Sequence, residues 1–321
     1  TVSCQETSNR YNKYKFHYHN KQLEVLFKSE DYLKLLSYLE KLSDKKKIFH
    51  DLSFKYVNNA IHSINDDISK KQIVWINSFR SEDKKYILSF IENYLSNFNS
   101  LKQKIKTYQE EIDDILLKSE QIDFNTLINH SYFFQWMIIN KNNFPFKFIS
   151  NNLPFFSTKE NYNFTKSNIT QAYIHIISHP YNIYQSIKKN NNNDQEIARN
   201  IFLNLDQRAT LQDQNKTSFY LFRKGWHTNT ESWTDANVVN SLKGKIISTK
   251  ELKNNSYEVL SSIILHLIQS GVEIELDYDL IENFVKNNSY IDNEAYEEIS
   301  TKERKFLDKY VSDIIENYDL I

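Results

Sequence analysis

The chain is poor in residues that interrupt regular structure, with only 3 glycines and 3 prolines among 321 residues. None of them precedes Pro145, so the first 144 residues lack the two strongest helix breakers. Gly225, Gly244 and Gly271 lie too far apart to form one glycine-rich turn. This spacing excludes phosphate-binding loops and dinucleotide-binding fingerprints of the familiar types.

Other features are equally scarce. A single cysteine cannot form an internal disulfide. No apolar run reaches 18 residues, so the sequence predicts no membrane-spanning helix. The net charge of −1 argues against a nucleic-acid partner, and no motif indicates a cofactor.

Apolar side chains recur on alternating four- and three-residue steps through the middle of the chain. They are Ile87, Ile91, Tyr94, Phe98, Leu101, Ile105, Tyr108, Ile112 and Ile115. This heptad spacing is typical of a coiled coil, and it predicts one long helix over about 82–118 that packs against other helices.

We therefore predict a mainly α protein: a helical bundle with one long heptad-patterned helix. Residues 1–20 would form an amino-terminal tether and residues 21–140 the bundle. Asparagine and proline cluster at about 140–154, which predicts a boundary there. Residues 141–321 would then form a second, more irregular and mainly helical region with acidic carboxy-terminal helices.

Local patterns in this second region predict helices over about 167–178 and 257–270, followed by a final helix around 306–318. Three short segments, 218–222, 245–248 and 272–279, are alternatives as strands. Residues 272–321 contain fourteen acidic and five basic residues, a net charge of −9. This acidic surface is either simply well solvated or a docking face for a basic partner.

The chain begins Thr1-Val2-Ser3-Cys4 and continues with a polar stretch over residues 5–9. This start resembles the lipobox of bacterial lipoproteins. The resemblance implies that Cys4 is lipidated and that the lipid alone attaches the chain to a membrane of the bacterial cell envelope.

Residues 223–235 combine two tryptophans with charged residues on a segment predicted to be a loop. The candidate partner-binding residues are Arg223, Trp226, His227, Trp233 and Asp235. Tryptophan and arginine are frequent hot-spot residues of protein interfaces, and binding residues gather on loops. The alternative is that both tryptophans fill the core beneath the loop.

His175 and His179 are four residues apart, and on a helix this spacing would place both imidazoles on one side, as in a metal-binding pair. Ile176 stands where a metalloprotease motif needs glutamate, and Pro180 disfavours helix at His179. The pair is a weak metal candidate, and packing or capping roles are favoured.

The favoured function is a non-catalytic, lipid-anchored adaptor or scaffold of the cell envelope. It would bind protein partners, including membrane protein complexes, through its helices. The alternative is a soluble, cytoplasmic helical interaction protein, and a less favoured one is an enzyme with its site in residues 175–235. The sequence leaves the oligomeric state open.

Overall fold

The computed structural model describes residues 15, 17–26, 28–29, 34–35, 38, 72–79, 83–98, 100–108, 135, 138–139, 144–155, 164–203, 225–288, 290, 299–318 and 320. Within them, five strands form one sheet. They are β1 (Ile73–Ser78), β2 (Lys106–Thr107), β3 (Lys147–Asn151), β4 (Thr170–Ile177) and β5 (Gly244–Ser248).

Besides the helical residues 17–26, nine helices with defined bounds accompany the sheet in the described part of the chain. They are α1 (Asp83–Leu95), α2 (Pro180–Asn190), α3 (Gln195–Leu203), α4 (Trp226–Thr234), α5 (Ala236–Leu242), α6 (Thr249–Asn254), α7 (Ser256–Gln269), α8 (Tyr278–Asn287) and α9 (Thr301–Asn317).

The strands lie in the order β2-β3-β1-β4-β5, and every neighbouring pair is parallel. The chain leaves β1 toward the β2 edge, whereas it leaves β4 toward the β5 edge. A crevice between neighbouring strands whose connections diverge in this way is a topological switch point, and in open α/β sheets ligands bind there, beyond the carboxyl ends of the strands.

The two central strands, β1 and β4, are buried on both faces. Every residue of Ile73–Ser78 and Thr170–Ile177 is buried. Strands of this kind have nearly continuous apolar sequences and not an alternation of apolar and polar residues, because both of their faces pack against apolar layers.

Each face of the sheet has its own apolar core. On the first face, Val74 and Ile76 of β1 pack with the buried sides of α1, α7 and α8. On the second face, Phe79 and Ile177 pack with residues of α2, α3, α4 and α9. The architecture is therefore a three-layer α/β fold.

This fold corrects the predicted one. A mainly α helical bundle with coiled-coil packing is wrong, because a parallel sheet forms the centre of the molecule. The irregular, mainly helical second half is corrected with it, since β3, β4 and β5 lie within residues 141–321.

The long helix predicted over about 82–118 is also wrong, because α1 ends at Leu95. Ser96 Oγ and Asn97 Nδ2 both donate to the carbonyl of Asn93, at 2.6 and 3.1 Å. Such side chains compete with the helix for its last carbonyls and end it. Beyond the turn, Leu101 and Ile105 still pack in the first core. The heptad spacing therefore reflects burial of these side chains and not one continuous helix. Ile112 and Ile115 lie outside the described residues.

The helix predicted over 167–178 is strand β4. Among the segments considered as strands, 245–248 falls within β5, and 218–222 lies outside the described residues. The alternating segment that starts at Val272 buries Val272 and Ile274, yet residues 272–277 belong to no strand. The alternating pattern therefore predicts a strand here that does not form.

The predicted helices near the carboxy terminus correspond to α7 and α9. Gly271, with φ of 95°, follows α7 in the left-handed conformation that glycine adopts readily. Ser300 and Glu303 form a capping box at the start of α9. Within the described residues no helix is both long and apolar enough to cross a membrane.

Glu303 also connects α9 to α2. Its Oε1 accepts hydrogen bonds from Lys188 Nζ at 3.0 Å and from the Tyr184 hydroxyl at 3.2 Å. Although burial opposes ionisation, the hydrogen bonds from Ser300 and Lys188 leave the pKa of Glu303 below its usual value. The first turn of α9 is therefore fixed on the second face by a buried ion pair.

Gly244 pairs with Tyr173 across β4 and β5, and a Cβ at position 244 would lie 2.3 Å from the Tyr173 ring. We expect Gly244→Ala to lower the free energy of unfolding by about 1–3 kcal/mol, because the buried ring must shift. Urea denaturation measures the loss. In a Tyr173→Leu background the cost should shrink; an equal cost in both backgrounds would contradict the proposed contact.

Candidate functional site

A row of three polar side chains crosses the central strands near their carboxyl ends. Asn77 on β1 is the register partner of Asn151 on β3 and of His175 on β4. Neighbouring strands lie about 4.8 Å apart. Val74 and Ile76 face the first core, so strand alternation places this polar row on the second face.

The three members of the polar row are at most 2% exposed, but their hydrogen bonding differs. Asn151 is satisfied, because its Nδ2 donates to the Leu153 carbonyl at 3.1 Å and its Oδ1 accepts from Leu153 N at 3.0 Å. Among the described residues, neither amide atom of Asn77 and neither ring nitrogen of His175 has a partner. Each such group costs about 1–3 kcal/mol.

Helix α4 covers the polar row. The Trp233 ring lies nearly parallel to the His175 imidazole, with 6.5 Å between centroids and 23° between planes, and its Nε1 donates to the Leu153 carbonyl at 2.8 Å. Asn229 Nδ2 donates to the Asn152 carbonyl at 3.1 Å. The loop after β3 therefore holds α4 over the row, while Asn229 Oδ1 is buried without a partner in the described part of the chain.

Lys84 reaches the same place from the first turn of α1. It is 6% exposed, and its Nζ donates to the Asn151 carbonyl at 3.3 Å and to the Asn152 side-chain oxygen. No carboxylate of the described residues lies within 4.0 Å of this amine. Burial lowers the pKa of Lys84 to about 7, because a charged amine is costly to desolvate.

Burial also lowers the pKa of His175 to about 3, and the nearby charge of Lys84 adds to this effect. The imidazole is therefore neutral at pH 7, with one N–H donor and one acceptor nitrogen. Since the Lys84 charge acts on His175, the two groups lie in one electrostatic environment.

We call the set of Asn77, Lys84, Asn151, His175 and Asn229 the polar site. Its members come from three strands and from the helices on opposite faces, and they meet at the β1/β4 switch point. Within the described residues, five of its buried polar atoms have no hydrogen-bond partner. Clusters of buried, unsatisfied groups call for a specific explanation, and a bound polar ligand is one.

Of the two histidines considered for metal binding, His175 belongs to the polar site and His179 does not. His179 caps α2, where its Nδ1 accepts from Tyr181 N at 3.2 Å. Burial, and next the charge of Arg304, lower the pKa of His179 to about 4. The described residues do not gather these two histidines into a group of metal ligands.

The segment predicted as a partner-binding loop is largely helical. Trp226 is buried in the second core, nearly parallel to Phe202 with 6.0 Å between ring centroids, and Trp233 is buried over the polar row. Asp235 caps α5 by accepting from two backbone amides. Arg223 lies outside the described residues, as does Cys4.

His227 lies at the surface between two carboxylates. Its Nδ1 is 3.0 Å from a Glu231 oxygen and its Nε2 is 3.5 Å from an Asp313 oxygen. Ligand atoms of these three residues lie within 4.8 Å of one another, close enough for a metal. However, opposite ring nitrogens face the two acids, which suits an imidazole bridging two carboxylates better than one ion held by all three side chains.

Sequence reasoning missed Asn77, Lys84, Asn151 and Asn229 as site residues. A signal existed for Asn77, which directly follows the apolar run Ile73–Ile76. It becomes informative only when that run is identified as a parallel strand, whose carboxyl end then marks a site. For Lys84 and Asn229 the sequence contains no comparable signal.

No known protein-family model matches the sequence, and a search of curated proteins finds no similar one. Functional inference therefore depends on the polar site alone.

Replacing Asn77 by leucine should raise the free energy of unfolding by about 1 kcal/mol, because the change removes two unsatisfied polar atoms at similar side-chain volume. Asn151→Leu is the matched control at the same level of the sheet, and it should lower stability by about 1–3 kcal/mol because it breaks two hydrogen bonds. Chemical denaturation without added ligand measures both. A loss for Asn77→Leu as large as for Asn151→Leu would show that Asn77 is satisfied.

His175 should make the protein sensitive to acid. Its pKa is 6.5 unfolded and about 3 folded, so between these values the unfolded chain binds more protons and stability falls as pH falls. Wild type should therefore lose up to about 1.4 kcal/mol per pH unit relative to His175→Gln as pH falls from 6.5 toward 4. Urea denaturation of both proteins at several pH values measures the difference. Parallel plots of the free energy of unfolding against pH would show that folding does not lower the pKa of His175.

Proposed function

We propose that this chain is a ligand-binding α/β protein that holds a small polar molecule at the polar site. The observation that carries the proposal is the convergence of Asn77, His175 and Asn229, each with buried polar atoms lacking a partner in the described part of the chain. A ligand that hydrogen-bonds to these atoms removes a large energetic penalty.

The position of the site supports the same proposal. In doubly wound α/β folds the switch point is the usual ligand site, whatever the ligand. This likeness concerns architecture, and the function depends on the side chains placed there.

Access to the site requires movement, because all five members of the polar site are buried. Helix α4 is the element that covers the polar row, and side-chain hydrogen bonds of Asn229 and Trp233 hold it to the loop after β3. We expect ligand entry to involve displacement of α4, a lid-like motion on the time scale of other such gates.

The lipid anchor at Cys4 and the envelope location stay predictions, and they are compatible with a ligand-binding body. Intact mass spectrometry of the membrane fraction tests them. The adaptor role also stays a prediction, but the single heptad-patterned helix from which it was argued does not form.

The test of the proposed function is a thermal-shift screen with nucleosides, nucleotides, sugars, sugar phosphates, amino acids and small carboxylic acids. A binder at 100 times its dissociation constant stabilises the fold by about 2.7 kcal/mol, which raises the melting temperature by several degrees. Asn77→Leu should abolish the rise, whereas Asn237→Leu, at an exposed position of α5, should preserve it.

A rise that persists unchanged in Asn77→Leu would place the binding site elsewhere. Failure of every compound, together with failure to recover any small molecule bound to the protein purified from its native cell, would contradict the proposed function.

A further inference from the structure

The charge of the polar site is unbalanced. Lys84 is its single ionisable cation, His175 is neutral, and the remaining three members are asparagines. Both acceptors of Lys84 Nζ are neutral carbonyl oxygens, one from the Asn151 backbone and one from the Asn152 side chain. A buried ammonium is strongly stabilised by an opposite charge, which carbonyl dipoles replace only in part.

We propose that the ligand of the polar site carries an anionic group, a phosphate or a carboxylate, that binds Lys84 Nζ and accepts hydrogen bonds from Asn77 and His175. This inference rests on the proposed function and adds the chemical class of the ligand.

Two of the five unpartnered atoms of the polar site are hydrogen-bond donors, which suit an anionic group, and the other three are acceptors for donors elsewhere on the ligand. Asn77 Nδ2 and the N–H of neutral His175 are both without a partner among the described residues, and both can donate to oxygens of one phosphate or carboxylate. A cationic ligand would be repelled by Lys84, and no carboxylate of the described residues lies within 4.0 Å of Lys84 Nζ to attract one. A neutral ligand would leave the ammonium without a countercharge from the ligand or from the described residues.

Helix α1 also favours an anionic group near Lys84. Lys84 is the second residue of this 13-residue helix, so its backbone lies in the first turn, where the helix dipole is positive. Helix amino termini attract anions through this dipole. The dipole therefore adds to the lysine charge, although Asp83 in the same turn offsets part of it.

The experiment uses inorganic phosphate and malonate as probes of the full chain, each against sodium chloride at equal ionic strength. Affinity is obtained from thermal shift and, for phosphate, from ³¹P line broadening. Lys84→Met should weaken binding by about tenfold or more, as expected when one charge-assisted hydrogen bond is lost. Lys85→Met, at the exposed next position of α1, should change it less than twofold.

A second measurement guards against a Lys84→Met variant that fails to fold. In wild type labelled with ¹³Cε-lysine, Lys84 should titrate below the other lysines, since burial lowers its pKa to about 7 and that of Lys147 only to about 8. A bound anion should raise the Lys84 midpoint by about one unit or more, because an adjacent negative charge favours the ammonium. This readout reports on Lys84 itself, so binding of the anion elsewhere cannot imitate it.

The outcomes separate the two proposals. A raised Lys84 midpoint with phosphate alone indicates a phosphate-bearing ligand, and with malonate alone a carboxylate-bearing one. An unmoved midpoint with both probes overturns the anion inference. In that case, neutral compounds that stabilise wild type but not Asn77→Leu would leave the proposed function standing, whereas failure of neutral compounds as well would overturn both.

Discussion

The central strand β1 is hydrogen-bonded on both edges and covered on both faces, and the rest of the fold depends on this complete burial. Every side chain that β1 presents must be accommodated by protein rather than by water. From Ile73 to Ile76 the sequence meets this requirement with apolar residues: Val74 and Ile76 pack in the first core, and Trp75 packs against Tyr108 and Phe164. At Asn77 it does not, and the polar site begins at that residue.

The side chains of the polar site are not those that would stabilise the fold most. An apolar carboxyl end on β1, β3 and β4 would satisfy the core better than the buried amides and imidazole found there. Proteins commonly break the rules of local consistency at functional sites and compensate elsewhere. Here the compensation comes from the aromatic layer on the second face, where Trp233 packs on both Tyr173 and Phe164, and from the satisfied amide of Asn151.

Two of the helices, α7 and α9, could be located from the sequence, but the sheet could not. Gly271 marks the end of α7 through its left-handed conformation, and apolar side chains on one face of residues 306–318 located α9. Parallel strands carry no such mark, because burial on both faces removes alternation, and a run such as Ile73–Ile76 is as compatible with a buried helix turn as with a strand.

The polar site could not be predicted for the same reason: Asn77 and Lys84 become neighbours of His175 only through the order of the strands, which no local pattern encodes. Of the site, the sequence indicated His175 alone, and for a helical metal pair.

The ion pair between Glu303 and Lys188 has a consequence for how the molecule is made. It joins residues more than one hundred positions apart, and α4, which covers the polar row, packs on the same carboxy-terminal helix through the second core. A chain emerging from the ribosome can assemble much of the first face while the second still lacks α9. Until residues 301–317 have been synthesised, Trp226 and the apolar side of α2 stay partly uncovered and open to chaperones. The polar site is thus completed only after residues 301–317 have been synthesised, so a nascent chain that lacks them would not yet hold the proposed ligand.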